Sequence, residues 1–428
     1  MPMKRLFRRI TARPALGHAL ALLVLGLMTP ACSFNPSGLS NPDDLLPFHD
    51  DLAVVEPTSA SRRLIYESPG LLSVFHGETC ARADPSGGEH TPLLVQEELP
   101  LPRDLDRGTV ISNGYRLRYL DSDHHVKGLG TAIGEIVVNP GLLTWEAAGI
   151  LSDHNFDDSF EWCYTYTAVA WNSQQLLAEV DHGDTGHAFR DRAWTHGTSL
   201  RPLAGFLFNK AFAGLEEVAV LPRGFAAMWA DDHSTDHHLL QLAYNNDGGE
   251  VCVEGGKEYG NFNVASPTTS VGTGFVSWET TGFMKDNDLD RSQLILEIVT
   301  GLGGRDVGIV NPPFTVAPRE DSSFLSGCSG IPDGQVRTAE TIVESVPFQF
   351  AIPVLAGWDL AYVCGDEHVT EIGAWLPEWE WQPGTSAAGG TLKYSVSSIL
   401  RDKDGFPTFH SRTQVKILGF RPIAPGKR

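Results

Sequence analysis

Aspartate and histidine recur in this chain in a short pattern whose side chains could bind a metal ion or support acid–base chemistry. The pattern is Asp-x-His, and its copies are Asp123 with His125, Asp236 with His238, and Asp366 with His368. A carboxylate and an imidazole can bind a metal together, and an aspartate can also orient a histidine that acts as a base. Aspartate is equally typical of a turn before a strand. Structural, metal-binding and catalytic roles stay open, and Asp236 and His238 are the candidate metal ligands because further aspartates and histidines surround them.

A second acidic pattern, Asp-x-Asp/Asn, follows three alternating apolar runs. In the first two copies a third acidic residue extends it, and the candidate ligands are Asp153, Asn155, Asp157, Asp286, Asp288 and Asp290. Calcium takes roughly six to eight oxygen ligands, and three from one tight loop would supply part of that shell. In the third copy Gly405 follows Asp402 and Asp404, so the third ligand is missing. Aspartate and asparagine are ordinary hairpin-turn residues, so a turn is the first explanation of this pattern, and calcium is its candidate cofactor.

Three tryptophans, Trp375, Trp379 and Trp381, lie close together near the C-terminus. Strand alternation would place Trp379 and Trp381 on one face, with Glu378 and Glu380 on the other. Indole rings stack on sugar rings and on cations, so these residues are candidates for ligand binding. They would fit equally well as core residues between two packed sheets.

The segments that must position these residues have the two-residue period of half-buried strands. Before each Asp-x-His stands a glycine with two aromatic residues, and the three sets are Gly114, Tyr115 and Tyr119; Gly224, Phe225 and Trp229; and Gly357, Trp358 and Tyr362. A second alternating run leads into each acidic turn and a third follows the turn, which predicts a hairpin. We therefore predict a mostly β protein of three tandem antiparallel β-sandwich-like units.

The length of 428 residues exceeds what one hydrophobic core usually organises. The predicted organisation is a signal peptide at 1–31, a lipid anchor with a flexible tether at 32–62, and three sandwich units at 63–175, 176–305 and 306–428. The repeated patterns set the number of units, and the boundaries between them are placed near 175 and 305.

The N-terminus has the composition of an export signal, with basic residues before an apolar run at 19–28. The ending Thr29-Pro30-Ala31-Cys32 resembles a bacterial lipoprotein signal, which implies a lipid on Cys32. By the same resemblance, Ser33 implies the outer membrane. Ordinary signal-peptide cleavage would suit these residues as well. We expect an exported protein held at the outer membrane or cell surface by its lipid, with a periplasmic or secreted soluble protein as the alternative.

Six cysteines are present, and an exported protein can keep disulfides. If Cys32 carries a lipid, five remain and one must be unpaired; if it is free, three bridges can form. The predicted pair is Cys328 with Cys364, which belong to the same unit. In the chain-entropy description, closing a loop of that length would stabilise the fold by about 3 to 4 kcal/mol.

The formal net charge of -21 argues against nucleic acid as a partner, because nucleic-acid binding needs a basic surface. The chain contains no Gly-x-Ser-x-Gly, His-Glu-x-x-His or phosphate-binding loop. A binding role is therefore favoured over an enzyme. The alternatives are a metal-dependent hydrolase that uses the Asp and His cluster of the second unit, and a purely structural envelope protein.

A family resemblance adds a ligand class. The opening of H-type lectin domains is similar to Phe348, Ala351-Ile352-Pro353, Val354, Gly357, Trp358 and Leu360 of this chain. Their tryptophan-containing strand is similar to Ser277 to Thr281. These domains are small six-stranded sandwiches that bind amino sugars. The resemblance implies a sandwich fold and a carbohydrate ligand. We expect an acidic surface protein, anchored by a lipid, that binds a glycan or a protein ligand.

Overall fold

The computed structural model of the protein describes residues 53–83, 92–120, 126–153, 159–190, 203–207, 217–229, 239, 241–253, 257–259, 274–285, 293–304, 306–310, 336–338, 342–362, 368–384, 389–403 and 409–421. Every regular element in these stretches is a β-strand, and nearly all of them pair antiparallel. The mostly β, sandwich-like fold class predicted from the sequence is confirmed. Within the same stretches, no helix has the length and apolar character needed to cross a membrane.

The strands are numbered in chain order. Up to residue 175 they are β1 (Ala53–Val54), β2 (Ser59–Ser68), β3 (Leu72–Ala83), β4 (Leu93–Pro100), β5 (Arg107–Tyr119), β6 (Val126–Asn139), β7 (Leu142–Asp153) and β8 (Phe160–Trp171). Between 176 and 305 they are β9 (Glu179–Arg190), β10 (Leu203–Leu207), β11 (Glu217–Trp229), β12 (Gln241–Val253), β13 (Lys257–Tyr259), β14 (Gly274–Lys285) and β15 (Gln293–Gly304). From 306 on they are β16 (Val307–Val310), β17 (Arg337–Thr338), β18 (Ile342–Val346), β19 (Phe350–Tyr362), β20 (Val369–Trp375), β21 (Trp379–Pro383), β22 (Gly390–Tyr394), β23 (Ser397–Asp402) and β24 (Phe409–Phe420).

Three large sheets and one small sheet contain these strands. The first sheet has the order β1-β4-β7-β6-β11-β15-β9, the second β10-β14-β12-β19-β24-β16 with β13 beside β12, and the third β17-β23-β20-β5-β8-β3-β2. The small sheet has the order β18-β22-β21. Each large sheet therefore combines strands from two of the predicted units.

The three combinations close into a ring. The first sheet joins the first unit to the second through β6 and β11, the second sheet joins the second to the third through β12 and β19, and the third sheet returns from β20 to β5. Every join is antiparallel and contains five residue pairs. The predicted boundaries at 175 and 305 fall between β8 and β9 and between β15 and β16, inside this shared architecture. As limits of separate domains they stay predictions.

β5, β11 and β19, which we call the central strands, carry the three glycines of the sequence pattern. Each has a bulge one residue before its glycine, between Ser112 and Gly114, Pro222 and Gly224, or Leu355 and Gly357. The pairing with the neighbouring unit starts at the glycine of each central strand. Gly114 pairs with Trp375, Gly224 with Ala132, and Gly357 with Asn245. A Cβ on Gly224 would lie 2.5 Å from the Cα of Ala132, so glycine permits the close approach of the strands.

Aromatic side chains of the central strands meet in the middle of the ring. The ring centroids of Tyr115 and Phe225 are 5.0 Å apart, those of Tyr115 and Trp358 are 5.2 Å apart, and those of Phe225 and Trp358 are 4.7 Å apart. The ring centroid of Tyr244 from β12 lies 4.6 Å from that of Trp358. These separations suit tilted and edge-to-face aromatic packing, so the first aromatic residue after each glycine forms a shared core.

Sheets also pack face to face, as in a sandwich. In the first unit, Trp162 of β8 donates from Nε1 to Thr131 Oγ1 of β6 at 3.1 Å. Trp145 of β7 donates from Nε1 to Tyr164 Oη of β8 at 3.1 Å. Both tryptophans are buried, so their polar atoms find partners across the two layers.

The structure differs from the predicted tether at one place. Residues 53–62 belong to the predicted flexible tether, but β1 pairs with β4 and β2 pairs along β3. Val55 N–H also donates to the carbonyl of Leu94 at 2.9 Å. The folded part therefore begins at least by Ala53, because these residues complete the edges of two sheets. Residues 1–52, which contain the predicted signal and Cys32, lie outside the described residues.

Candidate functional site

The Asp-x-His and Asp-x-Asp/Asn patterns follow strand ends that lie at one end of the three large sheets. β5 ends opposite the start of β8, with Tyr119 paired to Phe160, and β6 starts opposite the end of β7, with Val126 paired to Asp153. The corresponding ends of the second and third units pair in the same way. In the three joins, the ends of β11, β19 and β5 pair near the starts of β6, β12 and β20, so these strand ends lie on the same side. We call this side of the molecule the loop end.

The sequence places one chemical pattern after each of six strands at the loop end. Asp-x-His follows the three central strands, and the acidic turn follows or overlaps the ends of β7, β14 and β23. Six segments rich in carboxylates and imidazoles are thus attached to neighbouring strand ends. Such a concentration of oxygen and nitrogen ligands could bind a divalent cation or hydrogen-bond a polar ligand.

Several predicted ligands lie outside the described residues, and these are Asn155, Asp157, Asp236, His238, Asp286, Asp288 and Asp290. In the part of the chain that the structure describes, no group of three or more His, Cys, Asp or Glu side chains is arranged to hold a metal. The calcium and Asp/His hypotheses therefore stay predictions.

The first acidic residue of two turns is described, and it is buried in both. Asp153 is 1% exposed and Asp402 is 4% exposed. Asp402 Oδ1 accepts a hydrogen bond from the N–H of Lys403 at 2.6 Å, and that N–H also contacts the carbonyl of His368 at 3.1 Å. Asp153 likewise interacts within the protein. At Asp402 the contacts are those of an aspartate that stabilises a turn.

Trp375, Trp379 and Trp381 are core residues in the structure, with exposed fractions of 7%, 2% and 7%. The predicted alternation is present, because Glu380 between the last two is exposed. The rings of Trp379 and Trp381 pack near Phe350 at centroid distances of 6.2 and 5.9 Å. Rings buried to this extent offer no open face to a sugar, so these tryptophans do not support glycan binding. The sandwich-core interpretation accounts for them.

A disulfide joins Cys80 of β3 to Cys163 of β8, with their Cα atoms 4.0 Å apart. The two cysteines are direct partners in the antiparallel ladder, which brings their Cβ atoms close together. The predicted pair, Cys328 and Cys364, lies outside the described residues. Sequence spacing could not identify Cys80 and Cys163 as partners because 83 residues separate them.

His76 is a buried histidine at the contact between the first and third units. Its Nδ1 lies 3.3 Å from Thr167 Oγ1, and its ring meets Trp379 edge-on at 6.0 Å. Burial lowers the pKa of His76 to about 4, since the interior disfavours the charged imidazolium. His76 is therefore neutral at physiological pH and acts as a polar core residue.

Replacing His76 with glutamine is expected to flatten the dependence of stability on pH between about 4 and 6.5. In that range the imidazole of His76 is protonated in the unfolded state and neutral in the folded state, so acid destabilises the wild-type protein. The shift in the pKa of His76 from 6.5 to about 4 corresponds to at most about 3 kcal/mol. Urea unfolding at several pH values measures the effect. Equal pH slopes for wild type and H76Q would contradict it.

A buried carboxyl group occupies the sandwich of the first unit. Glu97 is 8% exposed, and Thr79 Oγ1 donates to its Oε1. Tyr164 Oη lies 3.4 Å from the same oxygen. Burial and the nearby Glu97 raise the pKa of the Tyr164 hydroxyl well above its usual value. Two hydroxyl groups thus donate to one oxygen of this carboxyl group, and the cluster resembles a structural network more than a catalytic pair.

The bulge position contains side chains that sequence analysis missed. Asn113 donates from Nδ2 to Thr167 Oγ1 at 2.6 Å, and its Oδ1 accepts from the N–H of Leu355 at 3.4 Å. It therefore links two central strands. The sequence contained a usable signal, because these residues stand directly before the recurring glycines. The predicted pattern begins at the glycine and so leaves out the residue before it.

The comparisons with known proteins add no family. No protein-family model matches the chain, and no curated protein does. Among solved structures, the infectious bursal disease virus VP2 subviral particle is aligned over 90% of this chain and 84% of that chain, at 8% identity and a TM-score of 0.11. Likeness at that level carries no argument about fold or function.

Proposed function

We propose that the protein is an exported, lipid-anchored binding module of the bacterial cell envelope that contacts its ligand through the loop end. The observation that carries the proposal is the gathering of six strand ends at one side of a closed β body, each leading into an Asp-x-His or acidic turn. Loops on a rigid scaffold are the usual place for binding residues.

Export is supported by the disulfide as well as by the N-terminal sequence. Bridges such as Cys80–Cys163 persist in oxidising compartments and are rare in the cytosol. A basic and apolar leader followed by Thr29-Pro30-Ala31-Cys32 fits secretion with lipid attachment. Cys32 to Ala53 spans about 70 Å at full extension, which lets the β body stand away from a membrane.

Carbohydrate is the ligand class that we propose for the loop end. It is supported by the resemblance of residues 348–360 to H-type lectin domains and by the many carboxylates available to bond sugar hydroxyls. The acidic turns would also suit calcium, which takes oxygen ligands of the kind that aspartate and asparagine supply. Neither carbohydrate binding nor calcium binding at the loop end requires contact with the buried tryptophans.

Replacing Cys32 with serine tests the anchor. The variant is expected to leave the membrane fraction and to lose incorporation of labelled fatty acid, because the thiol is the attachment point. An exported C32S protein that remains bound to membranes would contradict lipid anchoring. The binding role would be unaffected by that result, so the two parts of the proposal are separable.

Glycan binding is tested with the purified mature protein on a glycan array, in calcium and in chelator. The double substitution Asp286→Asn and Asp288→Asn is expected to weaken binding at least about tenfold, since it removes two charged oxygen ligands. The matched control is Asp104→Asn, which neutralises an exposed aspartate between β4 and β5, away from the loop end. Absence of glycan binding in both conditions would overturn the ligand class.

A further inference from the structure

Arg223 is an arginine buried inside the protein, and none of the carboxylates that the structure describes forms an ion pair with it. Its side chain is 1% exposed. Nε and Nη2 donate to the carbonyl oxygen of Ile133 at 3.1 and 2.8 Å, and Nη2 also donates to the carbonyl of Gly134. Nη1 has no hydrogen-bond partner among the described residues. Burial lowers the pKa of Arg223 to about 9, so the guanidinium keeps its charge at neutral pH.

Two irregularities of the sheet meet at this guanidinium. Arg223 is the bulge residue of β11, between Pro222 and Gly224. Its acceptors lie where the β6–β7 register shifts between Ile133 and Ile136. A bulge leaves a residue outside the ladder, so regular strand pairing is interrupted on both sides of the side chain.

The equivalent positions in the other two units have no charge. Asn113 occupies the bulge of β5, where its amide hydrogen-bonds to Thr167 and Leu355. Ala356 occupies the bulge of β19 and is completely buried. A charged residue is thus not needed to form this bulge, and the charge of Arg223 requires a separate explanation.

We propose that Arg223 forms a small-anion site at the join of β6 and β11, filled by chloride or a monovalent ion of similar size. Buried charges are normally paired, because an unpaired ion loses its hydration without compensation. A monovalent anion on Nη1 would balance the single positive charge and supply the missing acceptor. Sulfate or phosphate would bring a second negative charge with no partner.

The site predicts a specific effect of chloride on stability. The full mature protein is melted in sodium chloride and in sodium gluconate at equal ionic strength, and 35Cl NMR linewidths are recorded with the folded protein. Wild type is expected to melt about 2 °C higher in chloride, in a saturable manner, because the ion binds the folded state alone. It should also broaden the 35Cl line.

Substitutions taken from the equivalent bulges serve as the variants. Arg223→Ala and Arg223→Asn are expected to lose both the chloride-specific shift and the line broadening. The control Arg103→Ala removes the same charge from an exposed turn and should keep both. Wild-type protein that neither broadens the line nor gains stability in chloride would overturn the site, as would an Arg223→Ala protein that keeps both effects. These outcomes are independent of glycan binding and of the lipid.

Discussion

Replacing Gly114 with alanine is expected to destabilise the protein by about 3 to 5 kcal/mol, because the new methyl group would collide with backbone and require a strained conformation. Its Cβ would lie 2.2 Å from the carbonyl oxygen of Ala374 and 2.3 Å from the Cα of Trp375. Gly114 also has φ of +125°, a conformation that other residues rarely adopt. Relief would require β5 and β20 to separate, which would open the join between the third and first units.

Urea unfolding of the purified protein measures this loss, and Gly141→Ala is the matched control. Gly141 has φ of +88°, but its nearest neighbours would be 3.6 and 3.8 Å from a Cβ. The control therefore retains the backbone strain without the collision and should lower the free energy of unfolding by about 1 kcal/mol. If the two variants lose the same stability, the close approach of β5 and β20 does not occur in solution.

Removing the bridge with the double substitution Cys80→Ala and Cys163→Ala is expected to cost about 4 to 5 kcal/mol in the chain-entropy description. The reason is the long loop, since 83 residues separate the two cysteines. The bridge also connects β3 to β8, so its loss leaves the outer strands of the third sheet held by strand pairing and packing alone. Chemical unfolding with and without a reductant measures the effect.

The reductant supplies the internal control. Wild-type protein should lose stability on reduction, and the double variant should be insensitive to reductant at this site. An unchanged unfolding midpoint of the wild type after confirmed reduction of Cys80 and Cys163 would show that the bridge does not stabilise the fold. Mass spectrometry of the exported protein establishes the pairing and would at the same time test Cys328 with Cys364.

Local patterns in the sequence were sufficient to predict the strands. Alternation at Tyr115, Leu117 and Tyr119 produced a strand with those side chains buried, and the recurring glycines marked equivalent strands in all three units. Side-chain alternation is a property of a single strand, so it is visible without knowledge of the neighbours. The same property predicted that Trp379 and Trp381 share a face.

Partners across the sheet could not be predicted in this way. Nothing in the spacing of Cys80 and Cys163 indicates that β3 lies beside β8, and the shared face of Trp379 and Trp381 did not reveal what covers it. The covering comes from Phe350 and His76, which are distant in the chain. Burial depends on such non-local packing, which explains why an apparent binding surface proved to be core.

The sequence by itself determined that the chain is built of strands, that three of them carry an equivalent glycine followed by aromatic residues, and which segments contain the Asp and His patterns. The tertiary structure decided that the units share their sheets in a closed ring, with Tyr115, Phe225 and Trp358 in contact at its centre. It also decided that strand ends leading into all six patterns lie at one side. Periodicity along a strand is local, whereas strand pairing joins residues far apart in the chain, and for that reason the arrangement became visible only in three dimensions.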